Sequence, residues 1–182
     1  ASQRVKTEAL SLYQYREWYP KNGAAAAAIS NNGRYVVGGN DRAGFLLDLS
    51  KDEMIEFATA EFYDVADDGT AVGSSHDKNP DGNAAILVGD QVVEIDLSSV
   101  AVKHGMSCCT GITPDATYVV GWYWEYDEAN SYFAQQYGAV IPFCYDVLKD
   151  RVTVPVEGER IYNENAATAI KAVAPDRTLL GY

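Results

Sequence analysis

Basic residues, cysteines and long apolar runs are all scarce in this sequence. Its 182 residues include 14 Lys and Arg against 26 Asp and Glu, a formal net charge of -12. The basic residues are scattered, so the chain would repel phosphate backbones and anionic lipid surfaces. No apolar run approaches the roughly 20 residues that a membrane-spanning helix needs. We therefore predict neither a nucleic-acid partner nor direct insertion into a membrane.

The three cysteines are Cys108, Cys109 and Cys144. An odd number leaves at least one thiol unpaired within the chain, and adjacent residues of a strand point to opposite faces. One of the adjacent pair could bridge to Cys144, but free, buried thiols that behave as small apolar residues are favoured. Cysteine usage therefore says little about the compartment.

Motifs that mark the common catalytic classes are also missing. The sequence has no Gly-x-Ser-x-Gly elbow, phosphate-binding loop or His-Glu-x-x-His motif. His104 with Cys108 and Cys109 lacks the number and spacing of ligands that zinc needs, and no third group orients a Cys-His nucleophile pair. We predict no catalytic residue and favour a non-enzymatic protein.

A unit of two short apolar segments around a polar turn occurs four times. The copies lie at 29–38, 65–73, 112–121 and 173–181. Each turn is built from Asn, Asp, Pro or Gly, and Asn-Gly and Asp-Gly favour tight hairpins because they adopt positive φ. Each copy therefore predicts a β-hairpin whose second strand ends at Gly.

Two further apolar segments follow each of the first three hairpins. Four short strands joined by hairpins form one blade of a β-propeller. We predict an all-β fold, a β-propeller of four-stranded antiparallel blades with about three full blades plus two half-blades. The predicted third and fourth strands are 44–49 and 54–57, 84–88 and 91–95, and 139–145 and 151–154.

The whole chain, 1–182, is predicted to be one propeller domain or a segment of a larger propeller. A segment is favoured over a small closed ring, because full propellers commonly carry more blades. Residues 24–29 have helical propensity, but their place in the repeat and their small side chains, suited to a crowded inner strand, predict a strand. The predicted units are about 24–58, 59–97, 107–155 and 166–182, with a half-blade at 5–18 for which strand is favoured over helix.

The repeat resembles the TolB-like and extracellular HAF-type β-propeller repeats. The matching residues are the apolar-Ser-x-Asp-Gly-x-x-apolar-Val-Gly unit, as in 29–38, and the Ala-Phe-Leu-like strand that follows, as in 43–46 and 83–86. The sequence departs from this pattern at Ala116 and Asp176, which replace the turn Gly. The resemblance implies a binding or scaffold module of a secreted or cell-envelope protein, in the periplasm or on the outer surface.

Meandering strands place alternate connections on opposite faces of a propeller. The connections within each hairpin repeat, and between third and fourth strands, are tight. Those on the other face are predicted to be long and varied, and long loops on a rigid scaffold commonly carry function. We therefore predict that the working face is formed by 40–43, 74–83, 98–107, 125–137 and 157–167.

Aromatic residues supply most of the candidate binding residues on this face. Rings with polar tips suit contacts with proteins and sugars. For Trp124, on a predicted strand, packing between blades is the favoured alternative. The candidate binding residues are Trp124, Tyr126, Asp127, Tyr132, Tyr137, His76, Asp77 and Arg42.

Calcium is the one cofactor for which the sequence offers candidate ligands. Asp77, Asn79 and Asp81 alternate as oxygen ligands do in calcium loops. Gly82 follows as such loops require, but Val88 stands where the closing Glu belongs. A solvated turn is therefore favoured, and no cofactor is predicted.

Together these patterns predict a non-enzymatic secreted or cell-surface binding or scaffold module with a protein or glycan partner on the long-loop face. One alternative is the propeller portion of a glycan or peptide hydrolase whose active site lies in absent sequence. Its local support is limited to acidic pairs such as Asp127 and Glu128. Another alternative is a structural subunit that contacts other chains of a larger surface assembly.

Overall fold

A computed structural model describes residues 25–40, 42–101, 104–125, 139–155 and 170–181. These residues form three four-stranded sheets and one two-stranded sheet. Within each sheet, strands that are consecutive in the sequence pair in antiparallel fashion. The predicted all-β architecture of four-stranded blades is confirmed. The predicted half-blade at 5–18 lies outside the described residues.

The four sheets follow one another along the chain. Sheet I contains β1 Ala25–Ile29, β2 Tyr35–Asn40, β3 Ala43–Asp48 and β4 Glu53–Phe57. Sheet II contains β5 Ala60–Val65, β6 Ala71–Ser75, β7 Asn83–Val88 and β8 Gln91–Glu94. Sheet III contains β9 His104–Ile112, β10 Tyr118–Glu125, β11 Ala139–Asp146 and β12 Arg151–Thr153, with a 3-10 turn at Val147–Lys149. Sheet IV contains β13 Ile170–Val173 and β14 Leu179–Gly181. None of the helical segments within the described residues is long and apolar enough to cross a membrane.

Apolar layers between consecutive sheets form the core. Sheet II is buried on both faces because alternate residues of a strand point to opposite sides. Ala71 and Leu87 belong to the layer shared with sheet I, whereas Val72 and Ile86 belong to the layer shared with sheet III. Ile170 extends a third layer from sheet III to sheet IV. Full burial of an aliphatic side chain such as that of Val72 or Leu87 contributes roughly 1.5–3 kcal/mol to folding.

A β-bulge in the first strand of each sheet faces the Gly that closes the repeat. A Cβ added to Gly38, Gly73 or Gly121 would lie 2.0, 1.9 or 2.2 Å from a backbone carbonyl oxygen of that strand. Only glycine tolerates such an approach, which explains why each hairpin unit ends at this residue. From the pairing register, the bulged residues are Ala27, Tyr63, Thr110 and Lys171.

The Ala-rich segment is a strand, as predicted, but it is not crowded. Ala25, Ala26 and Ala27 are exposed. The pairing of β1 with β2 depends on Gly38, whose missing side chain admits the carbonyl of Ala25. The sequence analysis expected crowding on β1. The crowded position is instead on β2, at Gly38, where a side chain would overlap the Ala25 carbonyl oxygen.

Hydrogen bonds between the repeat turns connect the first three sheets. Asn32 donates from its backbone N to Asp67 Oδ1 at 2.7 Å and from its side chain to the Asp67 carbonyl at 2.8 Å. The Asp67 N in turn donates to the Pro114 carbonyl at 2.9 Å. These turns thus hold adjacent sheets in a fixed relation at one edge.

Two more hydrogen bonds connect the first strands of adjacent sheets. Ile112 N of β9 donates to Asp64 Oδ2 of β5 at 2.9 Å, and burial raises the pKa of this carboxyl. Thr110, the bulged residue of β9, donates from its hydroxyl to the Ile170 carbonyl of β13. The bulge therefore also presents a side chain to the next sheet.

All four repeat turns contain one residue in the left-handed region. Gly33 and Gly69 have φ of 73° and 94°, and Ala116 and Arg177 have φ of 58° and 67°. The assignment of Asp176 to the turn-Gly position is therefore wrong, because Arg177 adopts that conformation. Asp176 instead accepts a hydrogen bond from Thr178 N at 3.0 Å.

The three cysteines are free and buried, as favoured from the sequence. Burial raises the pKa of the Cys108 thiol to about 12 and that of the Cys109 thiol well above its ordinary value. Both thiols therefore stay protonated at neutral pH and pack as small apolar groups.

Asp48, at the end of β3, anchors the β3–β4 turn. The Arg34 guanidinium donates to both carboxylate oxygens, at 3.1 and 2.7 Å, and Ser50 donates from its backbone N and hydroxyl to Oδ1 at 3.0 and 2.7 Å. The hydrogen bonds from Arg34 hold the pKa of Asp48 well below its usual range. Asp146, at the end of β11, likewise has a lowered pKa because Lys149 donates to it.

We predict that Gly73→Ala lowers the free energy of unfolding by about 3 kcal/mol or more, because the new Cβ would overlap the Glu61 carbonyl oxygen. Gly33→Ala is the matched control, since nothing lies within 4 Å of its added Cβ. The positive φ of Gly33 costs an alanine only about 1–2 kcal/mol. Urea unfolding measures both values, and equal losses would contradict the close approach.

We predict that Asp48→Asn makes stability less sensitive to acid. The native pKa of Asp48 lies below the ordinary 3.8, so the unfolded state binds the proton more readily. This contribution is complete above the ordinary pKa and is lost as the pH falls through it toward the native value. Unfolding free energies measured from about pH 6 to about pH 3 should fall less steeply in the variant.

Asp90→Asn, at an exposed position of the β7–β8 turn, is the control and should keep the wild-type slope. A wild-type slope in Asp48→Asn as well would show that the Arg34 contact does not act on the folded state.

Candidate functional site

The connections between strands form two distinct faces. The turn face carries the β1–β2, β3–β4 and equivalent connections, and Leu49 N donates to the Arg34 carbonyl across two of them at 2.8 Å. The loop face carries the others, and His76 N of the β6–β7 connection donates to the Thr59 carbonyl of the β4–β5 connection at 2.6 Å. The alternation expected from the sequence is therefore present.

The connection at 40–43 is shorter than the sequence analysis expected. Asn40 pairs with Ala43, so only two residues connect β2 to β3. Arg42 lies in this turn, is exposed and has a φ of 85°. The long connections of the loop face are 76–82 between β6 and β7, 126–138 between β10 and β11, and the connections between sheets at 95–103 and 154–169.

His76 fixes the start of the β6–β7 connection. Its side chain is 9% exposed, with Nε2 3.4 Å from Glu61 Oε1 and Nδ1 3.2 Å from the Pro80 carbonyl oxygen. Glu61 also raises the pKa of Tyr63, an effect second to burial of the phenol. His76, Glu61 and Tyr63 thus form a polar cluster where this loop meets β5.

Asn79 connects the β6–β7 connection to sheet III through hydrogen bonds. Its side-chain amide donates to the carbonyls of Gly82 and Gly105, both at 3.3 Å, and to Asn83 Oδ1 at 3.1 Å. Its Oδ1 accepts from Asp81 N at 3.1 Å. Both polar groups of Asn79 therefore have protein partners, which gives this weak calcium-ligand candidate a structural role.

The other two weak candidates for calcium ligands, Asp77 and Asp81, are exposed. Asp77 N donates to Ser75 Oγ at 3.4 Å. Within the part of the chain that the structure describes, no group of three or more His, Cys, Asp or Glu residues is arranged to hold a metal ion. The side chains of His76 and Asn79 instead form hydrogen bonds within this connection, to the carbonyls of Pro80 and Gly82.

Trp124 lies near the end of β10, opposite Val140 of β11, and is half-buried. The preceding Tyr123 is buried in the core layer, with its ring edge-on to His104 at 6.3 Å. Trp124 therefore lies on a strand that packs in the core, just before the aromatic-rich connection 126–138. The candidates Tyr126, Asp127, Tyr132 and Tyr137 lie outside the described residues.

The predicted binding residues that the structure describes do not form one cluster. Arg42 belongs to sheet I, His76 and Asp77 to sheet II, and Trp124 to sheet III. They share the loop face, on which each sheet supplies a different connection. Any common site there would have to span adjacent sheets.

The turn face carries a feature that sequence reasoning missed. A cleft of about 360 Å³ lies between sheets I and II, with the buried Tyr35 and Leu46 in its lining. Ile55 and Val88 also line it, and they are 45% and 54% exposed. Apolar Val88 beside the Gly89 turn was the available signal, but the sequence analysis placed the working face on the side of the long loops.

Neither a protein-family model nor a curated protein matches the sequence. Among solved structures, the chain is similar to a protein assigned as TolB from Agrobacterium tumefaciens, with a TM-score of 0.55 and 12% sequence identity over 89% of this chain and 54% of that one. TolB from Acinetobacter baumannii gives a TM-score of 0.53 and 13% identity over 88% and 37% of the two chains. The chain thus spans about half or less of each TolB structure, and it has a TolB-like β-propeller fold.

Proposed function

We propose that this protein is a non-enzymatic binding module of the cell envelope or cell exterior, and that its loop face contacts a protein partner. The observation that carries this proposal is the contrast between the two faces. The repeat turns bond to one another across sheets I to III, whereas the loop face carries connections of different length and chemistry.

Rigidity of the support favours binding through such connections. Core layers join consecutive sheets, and hydrogen bonds from Ile112 and Thr110 join their first strands. Loops held on a rigid scaffold lose less conformational freedom on binding than loops on a mobile one. The scaffold therefore favours recognition by the loop face.

Aromatic residues point to a protein partner. Trp124 is half-buried near the end of β10, and the sequence places Tyr126, Tyr132 and Tyr137 within the connection that follows. Tyr and Trp are enriched at the energetically dominant positions of protein interfaces. Sugars also stack on such rings, so a glycan is the second candidate partner.

The envelope location rests on the resemblance of the repeat to TolB-like and HAF-type repeats, and the TolB-like fold supports it. The HAF-type assignment is itself part of this proposal. The same resemblance favours a binding or scaffold role. A hydrolase portion would instead predict substrate turnover, and a structural subunit would predict a permanent complex with other chains.

Site-specific photocrosslinking in intact cells of the native source tests the proposal. A benzophenone amino acid replaces Asp77 on the loop face, and the control replaces Leu148, which is 78% exposed on the turn face. We expect a discrete adduct from position 77 and none of the same mass from position 148. Protease sensitivity of the added mass identifies a protein, and sensitivity to glycosidases alone identifies a glycan.

The combined change of Tyr126, Tyr132 and Tyr137 to Ala should remove the adduct while circular dichroism shows an unchanged β-sheet signal. Equal adducts at positions 77 and 148, no adduct at 77, or an adduct that survives the triple change would overturn the proposed loop-face contact.

A further inference from the structure

Sheets II and III each carry an apolar row, one residue from each strand, that packs on the preceding sheet. The residues of a row pair with one another across the strands. In sheet II the row lies in the core layer shared with sheet I and consists of Val65, Ala71, Leu87 and Val92. In sheet III it lies in the layer shared with sheet II and consists of Ile112, Val119, Tyr145 and Val152.

Sheet I has the same apolar row, but within the described residues no sheet covers it. Strand pairing places four residues in this row, Ile29, Val36, Leu47 and Met54. Ile29 is 58% exposed, whereas its equivalents Val65 and Ile112 are both 4% exposed. The other three residues of the row are half-buried. Sheet I therefore presents to solvent the side that sheets II and III bury.

Sheet IV has an uncovered apolar residue of the complementary kind. The residue before each closing Gly faces the following sheet, and in sheets I to III these residues are Val37, Val72 and Val120. They lie in successive core layers and are all 0% exposed. The equivalent residue of sheet IV is Leu180, which is 67% exposed and pairs with the exposed Ala172. Leu180 thus occupies a core position of the repeat without the sheet that covers this position elsewhere.

The boundaries inside the chain indicate what covers such a residue. Val37 lies in one core layer with Val65, and Val72 lies in one core layer with Ile112, so this position packs against the apolar row of the next sheet. The row of sheet I has the same character, with one apolar side chain on each of its four strands. Within a single chain both surfaces are exposed, so the chain's own sheet I does not cover Leu180. Sheet I of a second copy offers the matching surface.

We propose that the chain associates with itself head to tail, and that the apolar row of sheet I in one copy packs on Leu180 and Ala172 of sheet IV in another. Different surfaces meet in such a contact, which closes into a ring or continues as a chain of copies. The contact continues the packing of sheet on sheet that forms the core. It is separate from the proposed loop-face contact, which uses the connections between strands.

The net charge sets the conditions under which this contact forms. Each copy carries a net charge of -12, so two copies repel one another at low ionic strength. Salt screens this repulsion and leaves the burial of apolar side chains intact. Association should therefore become stronger as the salt concentration rises.

Size-exclusion chromatography with light scattering on the full chain tests the proposal, at about 0.01 M and about 1 M NaCl. We expect a mass of at least twice the 19.8 kDa of one chain at the higher salt concentration, and more dissociation at the lower one. A mass of 19.8 kDa at both concentrations would mean that something other than a second copy covers these surfaces, and it would overturn the proposal.

Ile29→Glu and Leu180→Glu each alter one of the two surfaces. Each change should weaken association by about tenfold or more, because a carboxylate would have to be buried without a partner. Leu148→Glu is the matched control, since it adds the same charge at a residue that is 78% exposed and belongs to neither surface. The control should change association less than about twofold. Equal weakening by all three changes would show that charge, rather than these surfaces, governs association.

A mixture of the two altered chains tests the head-to-tail arrangement. The Ile29→Glu chain keeps an intact Leu180, and the Leu180→Glu chain keeps an intact apolar row, so one contact can still form between them. We expect a complex of one copy of each in the mixture, and weaker association of either chain alone. The Ser variants of the same two residues replace the Glu variants if circular dichroism shows a loss of β-sheet signal. No complex in the mixture, or undiminished association of either chain alone, would overturn the head-to-tail contact.

Discussion

The close approach of a bulged strand to a glycine is the contact on which each sheet depends. At Gly38, Gly73 and Gly121 the facing carbonyl oxygen occupies space that any larger residue would need. The bulge increases the local twist of the first strand and directs a side chain such as that of Thr110 toward the next sheet. Pairing within a sheet and contact between sheets therefore have a common origin, and the same glycine ends every hairpin unit of the sequence.

The two faces of the molecule carry different kinds of connection between strands. The repeat turns on one face use their polar groups to bond to one another, as Asn32, Asp67 and Pro114 do. The connections of the loop face also form hydrogen bonds to their neighbours, as those of His76 and Asn79 do, but they differ in length and composition from sheet to sheet. Between sheets I and II, where Val88 stands at the position that holds Asp48 and Asp146 in sheets I and III, the turn face itself has an open cleft.

Most of the fold could be predicted from the sequence, because hairpin turns and alternating apolar residues are local signals. The strand at Ala25–Ile29 could be predicted against its helical propensity, since its place in the repeat outweighed composition. The bulges could not, because a bulge depends on pairing between strands. Arg177 was misassigned because Asp176 and Arg177 both lie in the turn and only the backbone φ separates them. The cleft was missed because it combines Tyr35 and Val88 from different strands with Gly69 from the β5–β6 turn.

Native-state hydrogen exchange of the backbone amides tests the central claim, that the sheets form one rigid array. The informative amides are those of Asp67 and Ile112, which donate to acceptors in a neighbouring sheet. The account predicts that they exchange within about tenfold of amides inside the buried strands β6 and β10, because opening them requires separation of the sheets. Exchange at the rate of freely exposed amides would show that the sheets move independently and would contradict the account.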